Sequence, residues 1–190
     1  MDPAAAREAA LTEGDMRFFG FANGALIAVL AVASAHAESA GPGDQAERGR
    51  YLTEMMGCND CHTPGYFFGK PDMAHRLSGS EVAFEIPGMG ALAGPNLTPD
   101  KATGLGAWSD AEIDKVMRTG VRPDGRTLAP SMPWRSFASM SEEDMAAIIA
   151  YLRSLPAVER KVPGPFGPGE TSNTFVMRLV PPGAVVAGAP

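Results

Sequence analysis

Cys58-Asn59-Asp60-Cys61-His62 constrains this chain more than any other feature, because it holds both of the chain's 2 cysteines. The C-x-x-C-H spacing is that of c-type haem attachment. Its two thiols can add across the two vinyl groups of one porphyrin, and the adjacent imidazole is then set to ligate the iron. Other uses of paired cysteines have less support. A disulfide framework needs more thiols, and a structural zinc site needs a second ligand pair at suitable spacing. A thioredoxin-like redox pair opens a helix after a strand, and no βαβ pattern is legible here.

At 190 residues the chain is long enough for one domain with its own core. Its net charge of -6 and the lack of any Lys/Arg block argue against nucleic acid as a partner. The 22 glycines and 17 prolines crowd its middle and end, which predicts short helices joined by long irregular loops. Near the start, Phe18 to Ala35 is an apolar and small-residue run preceded by Arg17 and closed by Ala35-His36-Ala37. That is the pattern of an export signal with an A-x-A cleavage site, so residues 1–37 are expected to be removed and Glu38 to open the mature chain. Asp2, Glu8, Glu13 and Asp15 are acidic where a signal is basic, which makes Met16 the expected true start. As a retained anchor the run falls short of the roughly 20 apolar residues that span a bilayer. A periplasmic address agrees with the haem reading, since bacteria form the thioethers outside the cytoplasmic membrane.

The mature chain divides into a linker over 38–43, a domain over 44–156 and a Pro/Gly-rich tail over 157–190. Asp44 is expected to cap a helix running to about Met56, with Gly49 inside it. Thr63 to Gly94 reads as loop, with a short strand pair within Leu77 to Pro87. Ser109-Asp110-Ala111-Glu112 is a capping box that opens a helix from Asp110 to Thr119, closed by Gly120. Ser141 opens a third helix, in which Met145, Ile148, Ile149, Leu152 and Leu155 follow a helical stripe until Pro156. The tail has no helical period, so it is expected either to wrap a partner or to stay unfolded. The expected fold is small and all-α, with long Gly/Pro-rich loops and one covalent haem supplying much of the core.

His62 is the expected proximal ligand. The distal ligand must come from elsewhere, and Met or His are the usual choices. Met132, between Pro130 and Pro133, is the leading candidate, because flanking prolines stiffen a loop. Met73, Met89 and His75 are the competitors, while Met55, Met56, Met117 and Met145 sit at helical spacing and read as packing.

The chain resembles the class I cytochrome c family, and more narrowly the cytochrome c subunits of bacterial periplasmic or membrane-bound dehydrogenases. Cys58 to Thr63, Gly94 to Asp100, Gly104 to Asp110, Gly120 to Arg126, Met132-Pro133, Phe137 and Ala150 to Pro156 carry that resemblance. It implies that the first and last helices cross at Gly49 and Tyr151, and that Pro95 offers its carbonyl to the Nδ1–H of His62. It also implies that Leu97 and Trp108 pack near the haem, and that Trp108 or Arg126 meets a propionate. Ordinary core and surface roles stay open for those two. Unlike the three-haem chains of that group, this one carries a single C-x-x-C-H. Its tail has no apolar run long enough to span a bilayer, so membrane contact is expected only through a partner.

With both axial positions filled, one-electron transfer is the expected activity and substrate chemistry is not. The expected partners are redox proteins: a dehydrogenase catalytic subunit, a terminal oxidase or another cytochrome. A haem enzyme or gas sensor with an open distal position is the alternative, and a haem-free thiol–disulfide oxidoreductase is the third reading.

Overall fold

The computed structural model describes residues 41–183; the export signal expected over 1–37 lies outside them. Within that span the order is α1 (Pro42–Met55), α2 (Cys58–His62), β1 (Val82–Ile86), β2 (Gly90–Ala93), α3 (Asp110–Thr119), α4 (Trp134–Phe137), α5 (Glu142–Ser154) and β3 (Phe175–Arg178). Two short 3-10 turns, Tyr66–Phe68 and Met73–His75, lie between α2 and β1.

Helix α1 starts two residues before Asp44. Pro42 takes the first helical position, where a missing N–H costs nothing, so part of the expected linker is helix. The Asp44 carboxylate still serves the helix start, by accepting the Gly41 N–H at 3.2 Å. Helix α3 has the bounds that its capping box predicts. Ser109 Oγ accepts the Glu112 N–H at 3.3 Å, Glu112 accepts the Ser109 N–H at 2.7 Å, and Gly120 turns the chain out at φ 70°. Helix α5 opens in the same way, with Ser141 Oγ accepting from the Asp144 N–H.

Helices α1 and α5 cross at Gly49. A Cβ built there would lie 1.9 Å from the Ala147 carbonyl oxygen and 2.8 Å from the Tyr151 Cβ. Only a residue without a side chain permits that approach. Below the crossing, Ile113 of α3 packs with Met145, Ile148, Ile149 and Leu152 of α5, and loop residues Leu77 and Leu105 complete the core. Arg153 ties the long loop to α5: its guanidinium donates to the carbonyls of Leu105 and Trp108 and to Asp110.

The all-α expectation is corrected by a small three-stranded sheet of order β2-β1-β3. Strand β1 pairs antiparallel with β2 across the Pro87–Met89 turn, so the second strand lies beyond the segment expected to hold the pair. Strand β3 comes from the tail and runs parallel to β1, with Phe84 opposite Met177. Through residue 183 the tail therefore has structure of its own against the domain. A helical period is the wrong test for it, since Phe175-Val176-Met177-Arg178 is a short run of the β-favouring and long apolar types that suit an edge strand.

Candidate cofactor site

Gly57, in the left-handed conformation at φ 69°, ends α1 and lets the motif start a helical turn of its own. Three contacts fix that turn. The His62 carbonyl accepts the Gly79 N–H at 2.8 Å, the Thr63 hydroxyl bridges Asn59 and the Leu77 N–H, and Gly94 lies flat against the end of α2. A Cβ on Gly94 would sit 1.8 Å from the Cys61 carbonyl oxygen and 3.3 Å from His62 Nδ1.

His62 is buried, and its Nδ1 lies 2.8 Å from the Pro95 carbonyl oxygen. A carbonyl only accepts, so Nδ1 carries the proton, and Nε2 of the neutral imidazole keeps its lone pair. Burial also pushes the imidazole pKa down, which favours the neutral ring, while the Pro95 bond opposes that shift. Among the described residues Nε2 has no hydrogen-bond partner. The two thiols are free, and burial pushes the Cys58 thiol up to about 11 and raises that of Cys61 as well. Exchange-active thiols are instead shifted down to roughly 3.5–7.5, so this environment does not suit a thiol–disulfide oxidoreductase.

Cys58, Cys61 and His62 face a cavity of about 640 Å³, within the roughly 300–1,000 Å³ usual for cofactor sites. Pro95, Leu97, Trp108, Arg126 and Met132 line the same cavity, so the structure brings all eight expected site residues to one place. The other distal candidates lie elsewhere. His75 and Met73 are exposed, and His75 is held by Asp72 at 2.7 Å. Met89 does not line the cavity itself but a smaller pocket adjoining it, which shares Leu92, Arg126, Thr127 and Pro165 with it. Two methionines read as packing, Met56 and Met117, also reach the cavity wall. Both pack against the core cluster, which Met132 does not join. Met132 instead sits in a tight turn, where its N–H donates to the Ala129 carbonyl and its carbonyl accepts from Trp134.

Among the described residues three cations line this cavity, Arg122, Arg126 and Lys161, and no carboxylate does. In a chain of net charge -6 that is a local inversion of sign. Arg126 is half-exposed and held by Asp124 at 2.9 Å. Arg122 is more enclosed, with its guanidinium 5.0 Å from the centre of the Trp108 ring. Arg122 belongs to the Gly120 to Arg126 stretch, but nothing in its local spacing separates it from an ordinary loop charge. Lys161 carries no sequence signal, because only the folding of the tail brings it to the wall.

A wide apolar cavity, two unpaired thiols, a buried imidazole with a free Nε2 and a cationic rim fit a large planar cofactor with an acidic edge. They do not resemble a bare metal site: no cluster of three or more His, Cys, Asp or Glu suited to an ion exists among the described residues.

Comparison with known proteins agrees. Residues 46–156, more than half of the chain, match the family model for cytochrome c. A nicotinate dehydrogenase subunit of Pseudomonas putida is 36% identical over 117 residues, which cover 62% of this chain and 9% of that protein. The fructose dehydrogenase cytochrome subunit of Gluconobacter japonicus is 33% identical over 117 residues, 60% of this chain and 23% of its own length. The cytochrome c subunit of the quinone alcohol dehydrogenase of Gluconacetobacter polyoxogenes is 37% identical over 105 residues, 55% of this chain and 20% of its own. The chain thus spans less than a quarter of the length of each of these three relatives. A domain of this kind with its cysteine pair implies covalent haem c. The chain belongs to the cytochrome c family, and its domain is homologous to the cytochrome c subunits of bacterial dehydrogenases.

Proposed function

We propose that this protein is an exported c-type cytochrome with one haem, which takes single electrons from a partner dehydrogenase and passes them towards a respiratory acceptor. The observation that carries this reading is the cavity on which two free thiols and the buried imidazole of His62 converge. When bound, haem c supplies reversible one-electron exchange between ferrous and ferric iron. The residues of the chain do the rest. Cys58 and Cys61 are the attachment points. His62 would hold the iron through Nε2, its ring oriented by the Pro95 carbonyl, which also raises its basicity. Met132 would supply a thioether to the iron, and joint methionine and histidine ligation favours a high potential. Leu97, Leu105 and Ile148 give the site an apolar wall that excludes water.

The kind of partner is suggested by the relatives, which are named as dehydrogenase subunits. A terminal oxidase or a second cytochrome is the proposed acceptor. The periplasmic address rests on the 18–37 segment. Among the described residues no helix is long and apolar enough to cross a membrane, and membrane contact is proposed through a partner alone.

The test is the visible spectrum of protein produced with haem-maturation machinery. The expected result is a low-spin c-type spectrum with the far-red ferric band of a methionine–iron bond, and no carbon monoxide adduct. A high-spin spectrum that shifts with carbon monoxide would replace this reading with a sensor or enzyme. Colourless protein would overturn it.

A further inference from the structure

The segment 158–166, outside the family-matched span, runs along the cavity wall as a strap pinned at both ends. At its start the Val158 carbonyl accepts from Asn96 Nδ2 at 2.7 Å, and the Arg160 N–H donates to Thr103 Oγ1 at 2.9 Å. At its end Phe166 exchanges both backbone bonds with Ala91, each at 3.0 Å. Two glycines form the seat. A Cβ on Gly79 would meet Val162 Cγ2 at 2.4 Å, and one on Gly90 would meet the Phe166 carbonyl oxygen at 2.0 Å. Between these anchors Lys161 to Pro165 line the cavity. Among the described residues Lys161 is a lining cation with no carboxylate within ion-pair distance, whereas Asp124 engages both arginines.

We infer that this strap is a wall of the haem site contributed from outside the family domain, and that Lys161 is a positioning residue for the acidic edge of the cofactor. The inference rests on the haem reading above. An ammonium at that edge opposes the extra positive charge of ferric iron and compensates a propionate. Both effects favour the reduced state.

The experiment compares full-length holoprotein with Lys161→Gln and Lys161→Glu, and with the same two changes at Lys115. Lys115 is an exposed residue of α3 that does not line the cavity, so it controls for net charge. Midpoint potentials are read by spectroelectrochemical titration at fixed ionic strength. K161Q is expected to shift the reduction equilibrium about threefold towards the ferric form, roughly half of the 59 mV that a tenfold change represents. K161E should shift it further in the same direction, and both Lys115 variants less. Equal shifts at Lys161 and Lys115 would overturn the inference, as would an upward shift at Lys161. Colourless wild-type protein would instead sink the haem reading itself.

Discussion

At the scale of single residues, the site depends on groups whose alternatives are already engaged. Met132 is the distal candidate that lines the cavity without joining the core, while His75 is held by Asp72 at the surface. Met132→Ala should keep covalent haem, admit carbon monoxide or imidazole, and lower the potential. Met117→Ala should leave the axial ligation unchanged and cost about 2–5 kcal/mol at most in stability. Visible titration with imidazole separates the two, and a wild-type spectrum for the Met132 variant would remove it from the iron. Asp100 makes a different point. Its carboxylate accepts from the Thr103 hydroxyl and from the N–H groups of Thr103 and Ala102, and these bonds hold its pKa below the usual 3.8. A depressed carboxylate contributes stability above its unfolded value and loses it as pH falls through the folded one. Asp100→Asn should therefore flatten the fall in stability between about pH 5 and about pH 3, as denaturant midpoints would register.

At the scale of elements, close backbone approach counts for more than surface charge. The α1/α5 crossing leaves no room for a methyl group at Gly49, with the Ala147 carbonyl oxygen 1.9 Å from a built Cβ. Gly49→Ala should cost about 1–3 kcal/mol or more, because two packed helices must move apart. Arg178→Ala should cost less than about 1 kcal/mol, although it removes the ion pair that joins β3 to β1, since both partners of that pair are solvated. Thermal unfolding of the two variants tests the ranking, and a larger loss for Arg178 would contradict it. The helix bounds of α3 were legible because a capping box and a terminal glycine are local chemistry. Strand β3 was not, because its pairing with β1 spans some ninety residues of sequence and leaves no local period.

At the scale of the whole molecule, the cavity is too large to be an incidental void. Its wall is mainly apolar, formed by residues such as Leu97, Leu105, Ile113, Ile148 and Leu152, and a bound cofactor would cover that surface from water. A chain with Cys58→Ala and Cys61→Ala, made without haem, should melt well below the holoprotein and with weaker cooperativity. Far-UV circular dichroism against temperature checks this, and an equal melting point would show that the polypeptide packs well enough alone.

The sequence by itself determined the cofactor chemistry and the family, because attachment needs five contiguous residues and those are present as Cys58 to His62. It also set the helices with local caps. Tertiary structure alone decided which methionines reach the cavity as well as Met132, that Arg122 stacks on Trp108, and that Lys161 returns from the tail to the rim. These depend on segments far apart in the chain. For Lys161 the approach is set by the Asn96 side-chain amide donating to the Val158 carbonyl, by the backbone pair of Ala91 with Phe166 and by glycines that clear the path, none of which carries a spacing that a linear reading detects.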